Sequence, residues 1–264
     1  MFSLNPSLQS YSWGSKTLIA DLRGEESPTQ HPQAELWYGA HPAAPADIAG
    51  VPLTDIIAAD PDRELGAAVR ARFGDRLPFL LKILAVAEPL SLQAHPSLAQ
   101  AQEGFRRENA QGIDVRAGNR NYRDDNHKPE LIVALTPFHA MAGFRPLAAT
   151  LELFAVLDCP SLARYVGMID STGEEAVNLR MLFTTWITIP AAVRKQLIDD
   201  IIVAAKRVVA EGSAAEWQRE TLANIIELDT HYPGDVGVLG ALLLNYVRLE
   251  PRAWAMSAVS WVVW

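Results

Sequence analysis

Apolar positions along the chain change texture near residue 146. Before that point they come in short runs broken by Pro, Gly and Asn: "LPFLLKILAVA" (77–87), "LSLQAH" (90–95), "PELIVAL" (129–135) and "HAMAGF" (139–144). Runs of this length with these flanks predict strands. The stretch "SLAQAQEGFRREN" (97–109) predicts a helix, opened after Pro96 by a capping box of Ser97 and Gln100. Beyond 146, Val193, Leu197, Ile201 and Ala205 recur at helical spacing, while Arg194, Lys195, Asp199, Asp200, Lys206 and Arg207 lie off that stripe. Pro190 suits the first turn of this amphipathic helix, and Ser171/Glu174 and Ser213/Glu216 read as capping boxes of its neighbours. Helical character runs to about 230; after the turn cluster "YPGD", "VGVLGALLLNYVRLEP" (236–251) reads again as buried strand. A helical block therefore interrupts a β architecture.

Composition narrows the function classes. With 264 residues, 49% of them hydrophobic, the chain can bury a sizeable core. Its 23 basic and 31 acidic residues give a net charge of −8, and no Lys/Arg cluster marks a nucleic-acid or anionic-membrane footprint, so the expected partner is a small molecule. The single cysteine, Cys159, excludes an internal disulfide framework and a thiolate zinc site. "MFSLNPSLQSYSWG" lacks the basic-then-apolar order of a signal peptide, and "AWAMSAVSWVVW" is too short to span a bilayer. The expectation is a cytoplasmic protein without internal repeats.

Three places carry polar groups where apolar ones would be cheaper. In "SLQAHPS" (91–97), Ser91, Gln93 and His95 stand two apart, so in a strand they share one face. Imidazole and an amide oxygen can both ligate a divalent ion, or the pair can simply be hydrogen-bonded. In "NHKPELIVALTPFHAMAGFRP" (126–146), His127, Lys128 and Glu130 crowd the entrance to an apolar strand, either as a site or as a solvated turn before Pro129. Lys82, within "PFLLKILAVA", either snorkels at a sheet edge or projects toward an anion.

The order and wording of "SYSWG", "AELWYGAHP", "LPFLLKIL", "PLSLQAHPS", "GFRREN", "YRDDNHKPELIVALTPFHAMAGFRP" and "HYPGDVGVLGALLLNYVRLEP" closely resemble type I mannose-6-phosphate isomerase, from about residue 3 to 251. The resemblance implies a mainly β fold with a helical insertion: a cupin-type β jelly roll plus an α-helical domain. Its expected parts are an N-terminal jelly-roll catalytic region over 1–145, a helical insertion over 146–230 and a return to the β domain over 231–264. It implies that Gln93, His95 and Glu130 bind a catalytic zinc, with a fourth ligand, a histidine, in a later strand. Lys82, Ser91, His127 and Lys128 align with positions around a sugar phosphate, and Trp13 lies in the "SWG" segment. The implied reaction interconverts mannose 6-phosphate and fructose 6-phosphate through a cis-enediol, zinc polarising the oxygens and His127, Lys128 or a zinc-bound water shuttling the proton. Lys82 and Ser91 would hold the phosphate. A monomer binding neither nucleic acid nor membrane is expected.

After "LNYVRLEP" the family continues with a strand bearing the fourth ligand and then an arginine-bearing segment, whereas this chain reads "RAWAMSAVSWVVW". Trp254, Trp261 and Trp264 mark the change, from about 252. The expectation is a chain lacking the C-terminal strands through a frameshift or premature end. Three readings stand: a zinc isomerase by descent, an inactive cupin that retains metal or sugar phosphate, and a non-functional fragment.

Overall fold

The computed structural model describes residues 3–257 and 261–263, which divide after Glu88 into two compact units. Trp264 lies outside the described residues. The first unit contains β1 (Ser7–Gln9), α1 (Leu18–Arg23), β2 (Glu35–Tyr38), β3 (Asp47–Ile48), β4 (Val51–Pro52), α2 (Leu53–Ala59), α3 (Pro61–Leu65), α4 (Ala67–Phe73) and β5 (Leu81–Leu84). Its main sheet is antiparallel in the order β1-β2-β5, with Leu36 opposite Ile83 and Trp37 opposite Lys82. Alternation then separates two faces: Leu36, with Ile83 and Tyr38, joins Ile19 and Ala85 in a small core, while Glu35, Trp37 and Lys82 share the other face. Gly14 of "SWG" is dictated by close approach, since a Cβ there would lie 2.7 Å from the Ala34 backbone.

The second unit contains α5 (Leu98–Ala110), β6 (Glu130–Val133), β7 (Phe138–Phe144), α6 (Leu147–Leu157), α7 (Pro160–Val166), α8 (Glu175–Thr188), α9 (Ala191–Glu211), α10 (Glu216–His231), α11 (Val236–Ala241), β8 (Leu244–Leu249), β9 (Trp254–Ser257) and β10 (Trp261–Val263). One sheet runs β10-β7-β8 and another pairs β6 with β9, all antiparallel. Six helices, α6 to α11, lie in sequence between β7 and β8, two strands that pair directly. The ends of this excursion are fastened by Arg145, whose backbone N–H donates to Leu243 O at 2.7 Å and whose guanidinium donates to the carbonyls of Leu242 (2.9 Å) and Leu244 (2.6 Å). Burial pushes its pKa down to about 10. Leu153, Leu157, Leu182, Trp186, Ile198, Ile201, Leu222, Ile225 and Leu239 fill the helical core.

The capping box predicted at α5 is present: Ser97 Oγ accepts from Gln100 N–H and Gln100 Oε1 accepts from Ser97 N–H. Helices hold most of the regular structure, a different balance from a mainly β chain. Several finer expectations change. Residues 91–97 form no strand, because no described strand runs beside them to take up their backbone hydrogen bonds. Residues 236–241 are helical, since Asp235 accepts from Gly237 N–H and caps the turn, and a run buried from Val238 to Ala241 has no period to betray it. The boxes at Ser171/Glu174 and Ser213/Glu216 are absent: α8 begins after Glu174 without a side-chain cap, and α10 begins with Gln218 Oε1 accepting from Ala215 N–H. On α9, Leu197, Ile201 and Ala205 are buried as expected, whereas Val193 is exposed. The segment after 252 pairs as β9 with β6 and as β10 with β7.

Candidate active site

The polar residues singled out in the sequence fall into two groups, one in each unit. In the first unit, Glu35 is buried yet polar, and two neighbours on its face answer its charge. Trp37 donates its indole Nε1–H to Glu35 Oε2, and Lys82 Nζ stands 3.4 Å from the same oxygen. The Lys82 ammonium also lies 4.8 Å from the Trp37 ring centroid, within cation–π range, and His41 packs edge-on against that ring at 4.9 Å. Lys82 is therefore a half-buried cation set by a carboxylate and an aromatic face. Trp13 stacks on Tyr11 at 5.6 Å, and its carbonyl accepts from the N–H groups of Ala87 and Glu88. Burial, then the nearby Glu35 charge, raises the Tyr11 pKa.

In the second unit the two motifs meet. His95 Nδ1 lies 2.9 Å from the carbonyl oxygen of Lys128, joining "QAH" to "NHKPE" across 33 residues. A donor to that carbonyl must be Nδ1–H, which leaves Nε2 as the nitrogen available to a metal, the arrangement usual for a metal-ligating histidine. Ser91 and Gln93 stay on one side of the chain although they lie in no strand: Gln93 Nε2 donates to Ser91 Oγ at 3.5 Å, and Gln93 Oε1 has no donor among the described residues. Glu130 opens β6, where alternation puts it on the face of Ile132, and its carboxylate has no hydrogen bond or ion pair among the described residues. Lys128 Nζ is paired with Asp124 at 3.0 Å, whereas exposed His127 has no such partner among the described residues.

Nothing in the sequence alone indicated how the second segment is held. Arg120 and Glu108 form a buried ion pair at 3.0 Å. Arg120 also donates to Tyr122 O, Ile113 O and Asn109 Oδ1, while Glu108 accepts from the N–H groups of Tyr122 (2.8 Å) and Asn121. These bonds, that from Tyr122 foremost, hold the Glu108 carboxyl below its usual range. Tyr122 lies flat against Gly104, where a Cβ would meet the ring at 2.5 Å. The "GFRREN" helix and the "NYRDDNHKPE" loop are thus one assembly. Glu35 carries a weak signal, an acid in an otherwise apolar strand.

No three of the described His, Cys, Asp and Glu residues gather as a metal site, so a metal here would need the amide oxygen of Gln93 beside His95 and Glu130. The donor chemistry fits zinc: one neutral imidazole with a free Nε2, one carboxylate and one amide oxygen.

The model of "Phosphomannose isomerase type I, catalytic domain" matches residues 1–147. Mannose-6-phosphate isomerase of Escherichia coli is 40% identical over 258 residues, which cover 95% of this chain and 62% of that protein. The Salmonella typhimurium protein is 38% identical over 257 residues, with 95% and 62% covered. A crystal structure of the Salmonella typhimurium isomerase bound to its substrate, fructose 6-phosphate, and zinc superposes with a TM-score of 0.81 at 35% identity, covering all of this chain and 68% of that one. This chain thus spans about 62% of the length of those curated relatives. A family model covering more than half of the chain, supported by relatives at this identity, shows that the chain belongs to the type I phosphomannose isomerase family.

Proposed function

We propose that the chain carries the zinc- and sugar-phosphate-binding part of an aldose–ketose isomerase acting on mannose 6-phosphate and fructose 6-phosphate, built on a cupin-type jelly roll interrupted by the helices between β7 and β8. The observation that carries this reading is the His95–Lys128 contact, which orients a ligand-type imidazole on the segment that also supplies Glu130. Gln93, His95 and Glu130 are the proposed metal donors. Bound zinc would supply positive charge where an enediolate develops negative charge.

The chain's own groups take the other roles. His127 is the preferred proton carrier, since the Lys128 ammonium is engaged with Asp124. Ser91 offers a hydroxyl donor, Lys82 a charge for the phosphate, and Trp13 an apolar wall for the sugar. Lys82 is already balanced by Glu35, so its pull on a phosphate is weaker than that of a free lysine.

A second reading, binding without turnover, is favoured by the donor set: the described residues offer two strong zinc donors, His95 and Glu130, and one weak amide. Both readings are tested together by zinc titration, mannose 6-phosphate titration of the zinc-loaded chain and a coupled assay for fructose 6-phosphate. Binding with turnover supports the isomerase, binding alone supports the second reading, and neither overturns both.

A further inference from the structure

A cavity of about 280 Å³ opens beside Arg145, where the start of α6, the first turns of α10 and β8 meet. Arg145, Glu220, Thr221, Asn245 and Tyr246 give it polar walls, and Trp217 gives it an apolar one. Small-molecule sites run from roughly 300 to 1,000 Å³, so a cavity of this size takes a small occupant.

These walls are costly for a packed interior. Arg145 is 4% exposed, and two of its five guanidinium N–H bonds go to the carbonyls of Leu242 and Leu244. The other three meet no acceptor among the described residues, and no carboxylate offsets the lowering of its pKa by burial. A buried cation without a counter-charge favours an anion beside it. On α10, Trp217, Glu220, Thr221 and Asn224 recur at helical spacing and share one face. Thr221 and Asn224 are buried, and neither polar side-chain atom of Asn224 has a hydrogen-bond partner among the described residues. Packing alone would put apolar side chains on such a face.

The two ends of the cavity differ in charge. Glu220 has no hydrogen bond or ion pair among the described residues; burial, then the Glu220 charge, raises the Tyr246 pKa. Arg145 therefore suits an anionic group, and Glu220 suits a hydroxyl that donates. Asn245 adds a second acceptor: its Nδ2 donates to Ala142 O and Phe144 O, both at 3.1 Å, while its Oδ1 accepts from no described group. A planar carboxylate can take two parallel bonds from a guanidinium, whereas a phosphate dianion would meet the Glu220 charge with one cation to balance it. We infer that this cavity is a second small-molecule site, sharing no residue with the Gln93, His95 and Glu130 set, and that it binds a small hydroxylated carboxylate through Arg145 at the acid group and Glu220 and Asn245 at the hydroxyls. The inference does not rest on the isomerase reading.

Isothermal titration calorimetry of the 264-residue chain, with and without zinc, tests it with D-gluconate and L-lactate as probes and sorbitol, propane-1,2-diol and inorganic phosphate as counterparts. The expected result is binding of a carboxylate at about 1 mM or tighter, equal with and without zinc, and about tenfold or more weaker for its uncharged counterpart. Ala149→Leu, which fills the cavity, and Trp217→Ala, which removes its apolar wall, should each weaken binding about tenfold or more; both leave the Arg145 carbonyl contacts in place, and circular dichroism melts identify which variants are folded. His95→Ala should bind as the wild type does. No binding of either carboxylate at about 10 mM, equal binding of the uncharged counterparts, or tighter binding of phosphate overturns the inference. Binding that needs zinc, that is lost in His95→Ala, that mannose 6-phosphate displaces, or that survives unchanged in every folded cavity variant overturns it as well, by placing the carboxylate elsewhere.

Discussion

The imidazole Nδ1 of His95 stands 2.9 Å from the carbonyl oxygen of Lys128. A carbonyl oxygen only accepts, so the ring directs Nδ1–H toward it and leaves Nε2 as the nitrogen that could meet a metal. His95→Ala should therefore lower zinc affinity on the order of a hundredfold or more, because it removes the strongest neutral donor of the set. Elemental analysis of the dialysed variant should show little zinc, and stoichiometric retention would remove His95 from the site.

Lys82 and Glu35 make a separate test. Removing the cation by Lys82→Met leaves a buried carboxylate with the Trp37 indole as its one donor among the described residues, a loss of about 1–3 kcal/mol. Adding Glu35→Gln should recover most of it, since a neutral amide needs no counter-charge. Urea melts of the wild type, both single variants and the double variant measure the coupling. Strict additivity would show that the pair does not interact.

Acid should act through Glu108. Its carboxyl is held below the ordinary 4.5 by hydrogen bonds from Tyr122 and Asn121 and by Arg120. A carboxylate with a lowered folded pKa contributes stability that is fully present above 4.5 and disappears as the pH falls through the folded value. The stability difference between wild type and Glu108→Gln should accordingly be largest near neutrality and shrink between about pH 5 and pH 3. A difference that does not change with pH would mean that Glu108 acts by packing alone.

Arg145 fastens the helical excursion at its base. Arg145→Met deletes both carbonyl contacts, to Leu242 and Leu244, and removes a guanidinium 5.3 Å from the Trp217 ring centroid. The loss of two charged donors to buried carbonyls outweighs the relief of a desolvated charge, and the expected loss is about 2–4 kcal/mol. Denaturant midpoint and Trp217 fluorescence should move together. A shift in fluorescence without loss of stability would confine Arg145 to a local role.

Hydrophobic pattern predicted β5, β6 and β7, the capping box of α5 and the buried stripe of α9, because each has a period or an end signal of its own. It could not separate helix from strand over 236–241, where four consecutive residues, Val238 to Ala241, are buried, nor deny strand character to 91–97, where pairing depends on a partner distant in sequence. The proposed site was legible only as residue types: Gln93, His95 and Glu130 stood out as polar groups beside apolar runs. Their supports did not. Arg120 and Glu108 look like surface charges until a loop folds back on its helix, and the contact that orients His95 uses a main-chain oxygen, to which no side-chain motif points.

Gly104 sets two forces against each other. In the interior of α5, glycine costs about 1 kcal/mol relative to alanine, so propensity alone favours Gly104→Ala. The added methyl would meet three ring atoms of Tyr122 at 2.5 Å, and Tyr122 cannot simply withdraw, because its N–H is bound to Glu108 and its carbonyl to Arg120. Relief must displace the loop that leads to Lys128 and Glu130. Overpacking of this kind typically costs about 1–3 kcal/mol, enough to reverse the gain in propensity. We expect Gly104→Ala to lower stability and weaken zinc binding together, and Gly104→Ala/Tyr122→Leu to restore part of both. Zinc titration and thermal melts of the two variants decide the matter: a stabilised single variant with unchanged zinc affinity would show that the ring moves without taking the loop with it.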